Sequence, residues 1–236
     1  MQQSYIVRQV TLSKSDLLTQ QVVEAYDQLF QDQLASEYPF IVNCRNYIPR
    51  ILELENGEQR YLTFNRIRRE LIANNNITEF PTACGVGTSS DKFTLTYTRA
   101  RFPITFFSNP TQTETVDYPS VYGTPRFSRA ACFESDLFVS GTASIKGSET
   151  LFINDIVKQT NTSLDNIEIL ISVYPREYIL KYTIYVKNKN DNDIVTSLLL
   201  KRNITNYQIL NNDLCRDNLL VEIEAHPIHL KDYYVT

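Results

Sequence analysis

YPSVYGTPRFSRAACFESDLFVSGTASIKGSET, residues 118–150, holds three of the chain's six glycines and two of its nine prolines. Within it two apolar runs, FSRAACF (127–133) and LFVSGTA (137–143), flank the polar triplet ESD. This is the pattern of a β-hairpin with a short turn. Glycine suits positive φ or close backbone approach, so Gly123, Gly141 and Gly147 mark either tight turns or a backbone shaped around another group.

Downstream of the hairpin, Asn154 is placed to cap a helix whose Ile156, Val157, Thr160, Leu164, Ile167 and Ile171 form one stripe. A strand over 179–187, a short helix over 191–201 and a last strand over 219–226 follow. Upstream lie a short strand within 4–10, a helix from Ser15 or Asp16 to about Leu34, a strand over 38–49 and a helix over 57–74. Two further strands cover 80–87 and 92–99. KFTLTYTR (92–99) alternates almost strictly, as a strand with two distinct faces does. The order of elements predicts an α+β fold.

With 236 residues, of which 42% are hydrophobic, the chain can bury a sizeable core. A net charge of −4 gives no electrostatic reason to expect nucleic acid or an acidic membrane surface as partner. No apolar run reaches the length of a membrane span, and the first residues lack the layout of a signal peptide. Cys44, Cys84, Cys132 and Cys215 are too dispersed for a CxxC motif, so neither a zinc site nor a redox pair is indicated; reduced, buried thiols of a cytoplasmic protein are expected. His226 and His229 are read as surface residues beyond the last strand, and no metal or cofactor is expected.

The ordered pieces of the central stretch resemble the signature of the chorismatases, the chorismate-cleaving enzymes of hydroxybenzoate and dihydroxycyclohexadienoate biosynthesis. The resemblance extends upstream through YPFIV (38–42), NYIP (46–49), EQRY (58–61), Phe64, Arg68 and Gln112, and downstream through Asp155, Gln159 and LCRDNLLVEIEA (214–225). It implies two YjgF-like (chorismate-mutase-like) units, each a mixed β-sheet with helices on one face, here assigned to residues 1–115 and 116–236. The first reads as a truncated unit without an opening hairpin, and a homo-oligomer could cover what that leaves exposed.

The resemblance also implies an activity: release of pyruvate from an enolpyruvyl ether by a general acid. The last strand carries the candidates. Leu219, Val221, Ile223 and Ala225 face one way, and Glu222 and Glu224 the other, about 7 Å apart. Paired carboxylates on one strand face are ordinarily a solvated face, and alternation does not separate the two. The family pattern puts the acid on Glu222 and leaves Glu224 as a candidate substrate contact. Chorismate has two carboxylates, which suit the planar fork of arginine. Family positions fall on Arg60 and Arg68, eight residues apart on one helix face, and on Arg129; Tyr122 and Gly123 are candidate pocket residues.

Departures from the family pattern occur at Asn43, Arg45, Gln59, Thr111, Asp117 and Ser148, and each is read as removing charge or hydrogen bonding from the pocket. They leave two alternatives open, an enamine or imine hydrolase of the YjgF-like kind and a noncatalytic small-molecule-binding module.

Overall fold

The computed structural model describes residues 4–11, 14–173 and 178–229. In chain order the main elements are β1 (Tyr5–Val10), α1 (Leu18–Phe30), β2 (Phe40–Pro49), α2 (Arg60–Asn74), β3 (Thr82–Thr88), β4 (Thr94–Ala100) and β5 (Thr105–Phe107). These are followed by β6 (Ala130–Phe133), β7 (Asp136–Ala143), α3 (Ile156–Val173), β8 (Leu180–Val186), α4 (Asn192–Lys201), β9 (Tyr207–Asn211) and β10 (Val221–Pro227). One sheet has the order β1-β4-β2-β3 and the other β9-β8-β10-β7-β6-β5. The fold is α+β with mixed sheets.

The two sheets share a plan. In the first, β4 runs antiparallel to β1 and β2, and β2 runs parallel to β3. In the second, β10 runs antiparallel to β7 and β8, and β8 runs parallel to β9. Element for element, β1-α1-β2-α2-β3-β4 repeats as β7-α3-β8-α4-β9-β10; the second sheet adds the short strands β5 and β6 beside β7.

Each sheet buries one face under its helices. Leu18, Val22, Tyr26 and Leu29 of α1 pack with Phe93, Leu95 and Tyr97, and Leu164, Ile167 and Leu170 of α3 pack with Val221, Ile223 and Ala225. The other faces meet, so that Tyr47, Cys84 and Val86 of the first sheet pack with Ala143, Tyr185 and Leu219 of the second half. Polar bonds stitch the seam along β3. The Ala83 amide donates to Ser140 Oγ (2.9 Å), the Gly87 amide to the Asp213 carbonyl (2.7 Å) and Asn212 Nδ2 to the Gly87 carbonyl (2.8 Å).

Several expectations need correction. The alternation in β4 is real, and both of its faces are buried, with Thr94, Thr96 and Thr98 opposite the face that packs on the helices. His226 lies inside β10 and is buried; only His229 is exposed, beside Asp136. Asp155, not Asn154, caps α3, accepting from the Lys158 amide at 2.9 Å. The first turn of α1 is met from outside, since the Leu18 amide donates to the Glu55 carboxylate (3.2 Å). Strand β9 was not anticipated. Among the described residues no helix is long and apolar enough to cross a membrane.

Candidate active site

The helix-free face of β10 presents Glu222, Glu224 and His226, where the equivalent strand β4 presents Thr94, Thr96 and Thr98. Desolvating three such side chains is costly unless each has a partner or loses its charge. The two glutamates solve the problem differently.

Glu224 is 1% exposed and ion-paired, its Oε1 2.6 Å from Arg45 Nε of β2, and it accepts from the Tyr185 hydroxyl of β8 at 3.0 Å. Glu222, 5% exposed, has no salt-bridge partner among the described residues; the Cys215 thiol lies 3.9 Å from its Oε2. Burial first, and then the negative charge of Glu224, push the Glu222 carboxyl up to about 8, against a smaller opposing pull from Arg216. Glu222 therefore keeps its proton through neutral pH.

The space for Glu222 is made in β7. Between Ile223 and Ala225 the pairing moves from Thr142 to Val139, so β7 carries one extra residue there, a β-bulge at Ser140 and Gly141. A Cβ on Gly141 would overlap the Glu222 carboxyl and lie 2.9 Å from Cys84 Cβ. Here glycine serves close approach, whereas at Gly123 (φ 76°) and Gly147 (φ 58°) it serves left-handed turns.

Glu222 forms the floor of a cavity of about 60 Å³ between the halves. Its walls are aromatic, from Tyr61 and Phe64 of α2 and from Tyr118, Tyr122 and Phe127 of the central stretch. Past Tyr61, Tyr122, Cys215 and Arg216 it opens into a groove of about 390 Å³. Recess and groove together are of the size that takes a small molecule.

Three guanidinium groups reach the recess. Arg68 donates Nε to the Tyr26 hydroxyl (2.7 Å) and one terminal nitrogen to the Arg126 carbonyl; its Nη2 has no hydrogen-bond partner among the described residues. Arg129, 4% exposed, donates Nη2 to the Thr113 carbonyl and the Tyr118 hydroxyl, both at 2.8 Å, and its Nε is likewise unpartnered. Arg216 lies 3.6 Å over the Tyr122 ring and donates to the Ser148 carbonyl (2.8 Å). Asn65 of α2 also lines the recess, its side chain beside the Tyr61 hydroxyl. Buried donors of one kind, turned to a recess floored by a protonated acid, suit an anionic ligand.

Glu222, Arg68, Arg129 and Tyr122 thus come together. Arg60 does not join them. It sits at the start of α2, where its guanidinium holds Glu55 and donates Nε to the Pro49 carbonyl at 2.7 Å, tying the α1 and α2 starts together. Two helical turns separate Arg60 from Arg68, enough to send one to the helix end and the other to the recess. Glu224 lies behind Glu222, committed to Arg45, and Gly123 shapes the turn that presents Tyr122 without lining the recess. None of Asn43, Arg45, Gln59, Thr111, Asp117 and Ser148 lines the recess; Gln59 lines the outer groove. These six exchanges therefore lie outside the inner wall, whereas the sequence reading put them in the pocket. Cys215 and Arg216 also line the recess, with no sequence expectation attached to them, because no periodicity runs through the loop before β10.

Residues 1–98 match the family model described as chorismatase FkbO/Hyg5-like, N-terminal. A 3-hydroxybenzoate synthase of Streptomyces hygroscopicus is 30% identical over 229 residues, covering 85% of this chain and 67% of the relative. A chorismatase of the same organism is 26% identical over 245 residues, covering 94% and 71%. The crystal structure of a chorismatase superposes with a TM-score of 0.86 at 26% identity, over 95% of this chain and 75% of that one.

Proposed function

The chain belongs to the chorismatase family of enzymes, and on that premise we propose that it cleaves chorismate to pyruvate and a ring product, with Glu222 as the general acid. The observation that carries this reading is a carboxyl buried on the floor of a recess that three arginines reach, where burial pushes its pKa up to about 8.

The chemistry follows from the substrate. Chorismate carries an enolpyruvyl ether, whose terminal methylene carbon is nucleophilic. The Glu222 carboxyl protonates that carbon, leaving an oxocarbenium at the ether carbon and a carboxylate on the enzyme. Water adds to the cation and gives up a proton to the Glu222 carboxylate, which restores the acid. The hemiketal then collapses, breaking the bond to the ring oxygen and releasing pyruvate with a dihydroxycyclohexadienoate. Loss of one water from that diol gives a hydroxybenzoate.

Arg68 and Arg129, with Asn65, are positioned for one substrate carboxylate, and Arg216 at the mouth for the other. The aromatic walls keep bulk water from the cation and raise the proton affinity of the acid. A noncatalytic binding module has no need of such an acid, and an open cleft or a solvent-facing Arg129 would have favoured it; Arg129 is buried.

The purified protein is incubated with chorismate, with pyruvate followed by a coupled assay and the ring product by chromatography. Pyruvate released well above the spontaneous rate supports the reading, and the ring product identifies the branch; release at the spontaneous rate ends it. The arginines separate in the same assay. Arg68→Met and Arg129→Met are expected to raise KM by roughly 10-fold or more, the loss of a charged hydrogen bond. Arg60→Met should leave KM unchanged and lower Tm, since it strips the partner from Glu55; a raised KM would return Arg60 to the site.

A further inference from the structure

The Arg45–Glu224 ion pair is a puzzle as a structural element. It joins β2 of one half to β10 of the other, both side chains are 2% exposed, and Tyr185 adds a hydrogen bond from β8. Buried pairs of this kind commonly contribute little more to stability than apolar residues of the same volume. The equivalent strand of the first half has Thr96 and Thr98 on its matching face, which carry no charge.

We infer that Arg45 and Glu224 are positioning residues for the reaction proposed above: Arg45 and Tyr185 hold Glu224 as a fixed anion two residues along the strand from Glu222, and that anion keeps the proton on Glu222 until substrate arrives. Geometry gives the pair its reach, because Glu222 and Glu224 share a face of β10 with little but protein between them. The groups that face Glu222 are few. Glu224 shares its strand, Cys84 comes from β3 and Tyr61 from α2, and Cys215 and Arg216 come from the loop before β10. Arg68 and Arg129 line the same recess. With cations on the substrate side, a counterweight is needed behind the acid, and Glu224 is the carboxylate placed there. Arg45, 2.6 Å away, is the counter-ion that offsets the cost of burying that carboxylate.

The test uses the double variant Arg45→Met/Glu224→Gln, which removes both charges together and so avoids a buried unpaired ion, beside Arg45→Lys, which keeps them. Two readouts are taken across the neutral range: the pH at which pyruvate release falls off on the alkaline side, and the pH at which Glu222 loses its proton. The second comes from the pH dependence of unfolding free energy compared with the same background carrying Glu222→Gln, and it needs no activity. The double variant is expected to lower both midpoints by on the order of one pH unit, the effect of removing a neighbouring like charge, while Arg45→Lys stays at the native values. Midpoints unmoved in the double variant, with only a uniform loss of rate or stability, would reduce the pair to a structural tie and overturn the inference. Absence of pyruvate release from the native chain would instead defeat the functional reading, and the proton-loss midpoint would still decide the role of the pair.

Discussion

Glu222→Gln is expected to release pyruvate from chorismate at least about 10²-fold more slowly than the native chain, with KM little changed. The amide fills the volume of the carboxyl beneath the Gly141 bulge but has no proton acidic enough to give to carbon. The loss should therefore fall on kcat. The native rate should also carry the signature of the acid: it falls as pH rises through about 8, where Glu222 ionises, and Glu222→Gln lacks that limb. Stability provides a second check. The folded carboxyl sits at about 8 and the unfolded one near the ordinary 4.5, so the folded state binds more protons across that window. The contribution of Glu222 to stability is complete below about 4.5 and is lost as pH rises through about 8. Chemical denaturation at several pH values should show this decline in the native chain and not in Glu222→Gln. A glutamine variant that turned over at the native rate would remove Glu222 from the mechanism.

Much of the fold could be read from periodicity, and the limits of that reading have physical causes. Alternation in 92–99 and 219–226 found β4 and β10, but alternation reports two faces and not what covers them. Both polar faces are buried, which moved His226 from the expected surface into the interior. Strand β9 escaped because five residues among asparagines, paired on one side only, leave a short signal. In the site, the aromatic stretch around Tyr122 and the positions of Arg68 and Arg129 were legible. The separation of Glu222 from Glu224 was not, since it depends on which carboxylate a cation from another strand reaches, a tertiary fact carried by Arg45. Arg60 lies outside the recess for the same reason: its partner, Glu55, belongs to a short hairpin whose path no spacing rule gives.

The other large effect is expected at Gly141, where chemistry and backbone meet. Its φ is not in the left-handed region, so alanine brings no backbone strain there. The new methyl group would instead occupy the position of the Glu222 carboxyl and press on Cys84 Cβ at 2.9 Å. Cys84 belongs to β3 and is held in the seam, so Glu222 is the group that yields, turning away from the bulge. Misplacing a catalytic group by about 1 Å can cost on the order of 10²-fold in rate, and Gly141→Ala should lose at least tenfold in kcat by that argument. Overpacking of one methyl costs about 1–3 kcal/mol, so the variant should fold, with a lowered Tm and a native circular dichroism spectrum. Because the displaced acid would address the substrate from a new direction, the ring product must be followed along with pyruvate. An unchanged rate and an unchanged product in Gly141→Ala would mean that the carboxyl works from elsewhere in the recess; a slowed or redirected reaction in a folded variant would show that the bulge in β7 sets the position of the acid.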